Sequence, residues 1–336
     1  MDINKVERFY SVLNDSTELI RKELDSTYIE ALIETGENIL DDGDIHVENG
    51  LPGEEAQKQL NDIYSRLTVT ALTREERKQA IQLVLIKAAK EDLLQPNHQP
   101  TPDAIGILFS YLIELLYDFD QPAHIADLSV GTGNLMYTLF SNLDFSKNKL
   151  RFTGVDNDDL LISLTSTLAA LLGMPIELMH QDALQPLLMD PADIMLSDLP
   201  VGYYPIELEG NTFSTSFEEG YSYSHFLLVE QGLNYLKEDG LAFYLMPTST
   251  FESEEVKGLL SFIQSIGYVQ GFIHLPNEWF KNKQSRKSIL IVQKKGEKSR
   301  QAKEVLIATS PSLSNKEAFK TFLMDIKKWK KEQGIK

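Results

Sequence analysis

Four carboxylates in this chain each stand directly after a short apolar run: Asp127 in HIADL, Asp156 in FTGVD, Asp182 in ELMHQD and Asp198 in DIMLSD. At the carboxyl end of a strand in an open α/β sheet, such a group faces the rim where ligands bind. Between the first two lies ADLSVGTGNLM, residues 126–136. Gly131 and Gly133 allow a tight turn and close approach of backbone to ligand, and the helix that follows presents unpaired N–H groups. A dinucleotide fingerprint needs a third glycine, and its place is taken by Met136. Asp127 would repel a pyrophosphate but attract an ammonium or sulfonium. Asp156, 23 residues after Gly133, is placed to accept both hydroxyls of a ribose. Asp182 is placed to accept from an exocyclic amine such as that of adenine. Taken singly, Asp156 or Asp182 could equally be a helix N-cap, and Asp198-Leu199-Pro200 could be a turn that stops a strand. Together, at four successive strand ends, they form a set suited to a positively charged ligand that contains adenosine.

The elements that would position this set follow from periodicity. Strands are expected at 124–128, 151–156, 176–181, 193–197, 241–247, 269–275 and 288–294, with helical patterns between the first five and before the sixth. Only the short polar link 277–287 separates the last two, so they should form an antiparallel hairpin. The fold class expected is therefore α/β: five parallel strands ending in a C-terminal antiparallel hairpin, with helices on both faces. Residues 1–94 read as an all-α N-terminal domain serving docking or dimerisation, with a capping box at Thr73-Arg74-Glu75-Glu76. Residues 95–310 hold the α/β domain, and 311–336 a basic C-terminal helix.

Composition narrows the class. The chain has 336 residues, no cysteine and six scattered histidines, which excludes disulfide and thiolate chemistry and argues against a metal site. No run approaches a membrane span, no signal peptide opens the chain, and a cytoplasmic protein is expected. The net charge of −18 is unevenly spread. Residues 281–336 carry 16 Lys/Arg against 5 Asp/Glu, whereas residues 1–280 carry 16 against 45. Such asymmetry can mark a basic face for a polyanion; a solvated lysine-rich helix would look the same.

The ordered motifs resemble a family. HQPTPDAIGIL (98–108), DLSVGTGNL (127–135), DLPV (198–201), GLAFYLMPTSTF (240–251) and FIHLPNEWF (272–280) are similar to the conserved blocks of class I S-adenosylmethionine-dependent methyltransferases. The closest likeness is to the adenine-N6 DNA methylases, including the modification subunits of type I restriction systems, and to the YtxK-like methyltransferases. The resemblance implies a class I methyltransferase Rossmann-like sheet and S-adenosylmethionine as cofactor. It implies cofactor contacts from Thr101, Asp127, Ser129, Gly131, Thr132, Gly133, Asn134, Asp156, Asn157, Asp182, Ala183 and Asp198.

For catalysis, the resemblance implies that the Asp198 carboxylate and the Leu199 carbonyl accept the two hydrogens of an exocyclic amine. The lone pair is thereby freed for in-line attack, with Pro200 stiffening the loop. Two positions depart from the pattern. Leu199 replaces a proline, and Val201 replaces the aromatic residue that stacks on an extruded base. Tyr203 or Tyr204, or the tyrosine-rich FEEGYSYSHF (217–226), could take over that stacking. The expected partner is nucleic acid, DNA ahead of RNA, held by the basic C-terminal region through Lys281, Lys283, Arg286 and Lys287. A homodimer through the N-terminal helices is a further expectation. Alternatives left open are an RNA base or protein amide as acceptor, and a non-catalytic cofactor-binding regulator.

Overall fold

The computed structural model describes residues 1–143, 149–207, 213–280, 283 and 285–335. Its contacts divide the chain into two compact units that do not follow chain order: Met1–Gly106 with Gly131–Leu143 and Asp156–His180, and Ile107–Val130 with Asp144–Val155 and Gln181–Lys336.

The first unit contains α1 (Ile3–Leu24), α2 (Tyr28–Leu40), α3 (Glu54–Tyr64) and α4 (Arg74–Glu91), together with α6 (Asn134–Asn142), α7 (Asp159–Leu172) and β3 (Glu177–His180). Capping boxes start α2 at Thr27/Glu30 and α4 at Thr73/Glu76, so the expected box at Thr73 is present. A buried hydroxyl cluster pins three of the helices: Ser16 Oγ lies 2.6 Å from Tyr64 Oη and 3.0 Å from Thr35 Oγ1. The N-terminal helices pack directly on α6 and α7. Gly36 of α2 lies so close to Thr167 that an added Cβ would collide with Thr167 Cγ2. Arg77 of α4 donates to the Leu171 carbonyl at 3.2 Å. The Lys78 ammonium is 3% exposed and pairs with Asp103 Oδ1, which also accepts from Thr138 of α6 at 2.7 Å. A buried charge of this kind is tolerated only with such pairing. The helices that follow the glycine loop and Asp156 are therefore braced by the N-terminal helices.

Helix α5 (Asp103–Leu116) carries the chain from the first unit into the second. The second unit holds β1 (Ala123–Asp127), most of β2 (Leu150–Asp156), β4 (Ala192–Asp198), β5 (Leu236–Pro247), β6 (Gly267–His274), β7 (Lys287–Lys294) and β8 (Leu306–Thr309). These strands lie in the order β2-β1-β4-β5-β7-β6-β8. β2, β1, β4 and β5 pair in parallel, and their largely buried runs suit a sheet covered on both faces. β7 runs antiparallel to both β5 and β6, which gives the expected hairpin and inserts its second strand between β5 and β6. β8, which periodicity did not reveal, adds in parallel to β6.

Helices α8 (Ser224–Asn234), α9 (Val256–Ile266) and α10 (Lys316–Gln333) complete this unit. α10 buries Phe319, Phe322 and Ile326, and Trp329 Nε1 donates to the Glu304 carbonyl at 2.7 Å. One expected helix does not form: residues 181–191, between β3 and β4, are turns. Pro186 and Pro191 deny that segment the N–H groups and φ/ψ freedom a helix needs. Among the described residues no helix is long and apolar enough to cross a membrane.

Candidate active site

In the first unit, the loop after β1 turns on Gly131 (φ 52°) and Gly133 (φ 77°). A side chain at 133 is excluded twice over. The positive φ disfavours it, and a Cβ there would meet Tyr137 Oη at 2.5 Å and Thr165 Cγ2 at 2.8 Å. Thr165 Oγ1 donates to the Gly131 carbonyl at 2.7 Å and Tyr137 Oη to the Thr165 carbonyl at 3.0 Å, so α7 fixes the loop from behind. Asp156 fixes it from the side. One carboxylate oxygen accepts the Gly131 N–H at 2.8 Å and the other the Asp158 N–H at 3.1 Å. Burial pushes the Asp156 carboxyl up from its ordinary range, and these two N–H bonds pull part of that shift back. Asn134, at the start of α6, donates to the Thr101 carbonyl at 2.6 Å. Thr101, Gly131, Thr132, Gly133, Asn134 and Asp156 are thus brought together in one hydrogen-bonded body. Asn157 is exposed, with its carbonyl 3.2 Å from His180 Nε2.

In the second unit, Asp127 ends β1 at 1% exposure. Its Oδ1 accepts the Ser129 N–H at 3.0 Å and the Ser197 hydroxyl, and Ser129 Oγ lies 2.6 Å from Ser197 Oγ. Asp127 therefore acts first as the anchor that ties the start of the glycine loop to β4. Asp198 ends β4 opposite Leu245 of β5, and the Leu199 N–H donates to the Leu245 carbonyl at 3.0 Å. The bend at 199–200 is therefore held to the sheet by backbone, in the place where the Leu199-for-proline change would otherwise loosen it.

Two predicted substrate contacts are placed differently from the sequence expectation. Lys287 is the first residue of β7, not part of the link, and its ammonium pairs with Asp198 Oδ1. Its register opposite Pro247 aims it back across β5, so it cannot serve a phosphate while it holds the carboxylate. Tyr204 is buried and donates its hydroxyl to Asp182 Oδ2 at 2.6 Å, so its ring is packing and not a stacking surface. Burial and the Asp182 carboxylate push the Tyr204 hydroxyl up to about 12. The other Asp182 oxygen accepts the Leu184 N–H at 2.9 Å, and the neighbouring Ala183 carbonyl accepts from Gln231 at 2.8 Å. Lys281 lies outside the described residues. Lys283 is exposed and Arg286 half-buried in the link.

Tyr203, by contrast, is 59% exposed. It forms a β-bridge with Tyr223, and the two rings stack with centroids 4.9 Å apart; Tyr223 in turn stacks on His225 at 5.2 Å. His225 is buried, and desolvation holds its ring down at about 4. This aromatic tier beside the Asp198 loop leaves the outer tyrosine open to solvent, next to the exposed Val201. Its signal in the sequence was the alternation of Tyr221, Tyr223 and His225 in the tyrosine-rich segment.

The strand order, with its antiparallel β7 inserted between β5 and β6, is that of the class I S-adenosylmethionine-dependent methyltransferases. Residues 99–332 match the model of the N-6 DNA Methylase family and residues 7–89 that of the YtxK N-terminal helical domain, and the chain belongs to this family. It is 34% identical to the uncharacterized protein YtxK of Bacillus subtilis (strain 168) over 333 residues, covering 99% of this chain and all of that one. A crystal structure from Listeria monocytogenes, of a protein assigned to the class I S-adenosylmethionine-dependent methyltransferases, superposes with a TM-score of 0.89 at 37% identity. That match covers 98% of this chain and 99% of the other. The methyltransferase subunit of a type I restriction-modification system from Streptococcus thermophilus shares the fold, with a TM-score of 0.65 at 15% identity over 93% of this chain and 73% of that one.

S-adenosylmethionine is the cofactor of this family, and the residues here fit it. The glycine cradle tolerates no Cβ at 133, the loop 127–134 carries no basic side chain to hold a pyrophosphate, and carboxylates stand at the strand ends.

Proposed function

We propose that this protein methylates an exocyclic amino nitrogen, with adenine N6 in DNA as the acceptor. The observation that carries the proposal is the Asp198 loop: a half-buried carboxylate at the end of β4 already holds an N–H-bearing cation, the Lys287 ammonium, on Oδ1. An aminopurine would present its amine to the same acceptor. For that to happen Lys287 moves off Oδ1 or shares the carboxylate. Asp198 then accepts one amine hydrogen and the Leu199 carbonyl the other, so the nitrogen becomes pyramidal and its lone pair is aimed. Catalysis of this type rests on positioning and charge placement.

The bound cofactor would supply an electrophilic methyl group. For its adenosine we assign the ribose to Asp156 with Asn157, and the base to Asp182 and Ala183. The remaining contacts go to Thr101 and the loop Ser129–Asn134, with Asp127 anchoring that loop. In this assignment Asp198 would serve both the cofactor and the amine. After transfer the nitrogen gives up one proton to water. Tyr203 supplies the exposed aromatic face that Val201 cannot, and the pair Lys283 and Arg286 supplies cations for the nucleic-acid backbone.

The test is incubation of the purified full-length protein with labelled S-adenosylmethionine and either DNA or RNA, followed by digestion to nucleosides. N6-methyladenosine in its deoxy form is the expected product. Label confined to RNA or to protein would overturn the DNA assignment while leaving the methyltransferase reading in place.

A further inference from the structure

In the second unit a cavity of about 460 Å³ lies beyond the carboxyl ends of β5 and β6, bounded by the link into β7. Its size is that of a small-molecule pocket. Lys283 and Arg286 line it, and among the described residues neither is in an ion pair. Glu252 and Asn277 line it as well, so the wall carries a carboxylate acceptor and an amide beside the two cations. The framework is built, not loose. The Thr248 N–H donates to the Arg286 carbonyl at 2.9 Å. Thr248 Oγ1 lies 2.7 Å from Ser288 Oγ, and His274 Nδ1 lies 3.0 Å from the same oxygen. Arg286 is followed in the chain by Lys287, the partner of Asp198. β4 and β7 are two strand spacings, roughly 10 Å, apart across β5, and the cavity lies on the β5–β7–β6 side of the Asp198 loop.

We propose that this cavity is a subsite for the nucleotide adjoining the target residue, and that the nucleotide enters it unpaired. The proposal rests on the nucleic-acid reading of the Asp198 site and sharpens it to single-stranded or locally opened strands. Two cations that form no ion pair among the described residues answer a phosphate, whereas Glu252 and Asn277 answer the donors and acceptors of a base or sugar. A simple anion site would not include the carboxylate. A base held in a duplex presents only its groove edge and cannot enter a concave pocket, so binding requires that it leave the stack.

The test uses the full chain and fluorescence anisotropy with a labelled single-stranded oligodeoxynucleotide, the same strand annealed into a duplex, and an RNA of the same sequence. AMP and adenosine serve as competitors. We expect the single strand to bind at least about ten-fold tighter than its duplex, since unstacking costs a few kcal/mol. AMP should compete and adenosine should not. Arg286→Ala and Lys283→Ala should each weaken single-strand binding about ten-fold or more and reduce the salt slope by about 0.7. Arg286→Lys should recover part of the loss. AMP binding by calorimetry with no binding of any strand would move the subsite to free nucleotides and overturn the proposal, as would duplex binding equal to single-strand binding or variants that bind like the parent. Calorimetry with S-adenosylmethionine on the same samples separates the two levels. Intact cofactor binding in the parent and both variants preserves the methyltransferase reading whatever the oligonucleotides do, and its absence from the parent would count against that reading by itself.

Discussion

Asp156 offers the sharpest perturbation of the cofactor half-site. Its two carboxylate oxygens accept the Gly131 and Asp158 N–H groups at 2.8 and 3.1 Å, and the carboxylate is assigned here to the ribose. Asp156→Ala removes a charge-assisted acceptor, a loss of roughly 1.5–3 kcal/mol, and affinity for S-adenosylmethionine should fall about ten- to over a hundred-fold. It also strips the glycine loop of its side brace. Asp156→Asn separates the two effects. The amide keeps one oxygen for the Gly131 N–H but loses the charge, so its affinity should fall between parent and alanine variant.

Burial raises the Asp156 carboxyl, which gives a pH signature of definite sign. The ribose hydroxyls donate best to the ionised group, so affinity should rise as pH climbs through the Asp156 titration and then level off. The linked stability term runs the other way: it is fully present below the ordinary carboxylate range and lost as pH rises through the raised value. Isothermal titration calorimetry on cofactor-stripped protein across pH is the assay. An alanine variant that binds within two-fold of the parent would refute the ribose assignment.

Three further outcomes follow. His225, held neutral at about 4 against 6.5 in a free chain, should stabilise the fold fully above pH 6.5 and lose that contribution, on the order of 3 kcal/mol, as pH falls to 4; urea unfolding of His225→Phe should show a flatter pH dependence, and an unchanged slope would contradict the burial argument. Tyr204→Phe keeps the ring and deletes the donor to Asp182, so thermal unfolding should reveal a loss of about 1.5–3 kcal/mol, whereas parental stability would mean that the bond contributes nothing. Tyr203→Ala removes the exposed face of the aromatic tier, so single-strand affinity should drop by about 1–3 kcal/mol with cofactor affinity unchanged, and intact strand binding would place base stacking elsewhere.

Much of this site was legible because strand ends and tight turns carry local signals. Alternating apolar runs located β1, β2, β4 and the β6–β7 hairpin within a residue or two, and the glycine pair needs positive φ where the sequence places it. What the sequence concealed was pairing across distance. Nothing in the spacing reveals that Lys287 meets Asp198, 89 residues away, because that contact depends on β7 inserting beside β5. Tyr203 and Tyr204 are adjacent and chemically identical, yet one stacks in solvent and the other is buried on Asp182, since successive residues of an extended segment face opposite ways. β8 is only four residues long, half of it exposed, and lies at the end of the sheet order, too short a run to stand out. The bracing of α6 and α7 by the N-terminal helices was equally invisible, because it rests on the close approach of Gly36 to Thr167 and on the buried Lys78–Asp103 pair.

The central claim is that Asp198 orients the amine that receives the methyl group, and methyl transfer by Asp198→Ala and Asp198→Asn measured beside cofactor affinity tests it most directly. Full-length protein, labelled S-adenosylmethionine and the acceptor that the parent labels best are sufficient. The account predicts that both variants bind the cofactor within a few-fold of the parent while transfer falls to background in the alanine variant. A variant without the carboxylate that turns over at the parental rate would show Asp198 to be a turn residue held by Lys287, and would contradict the account.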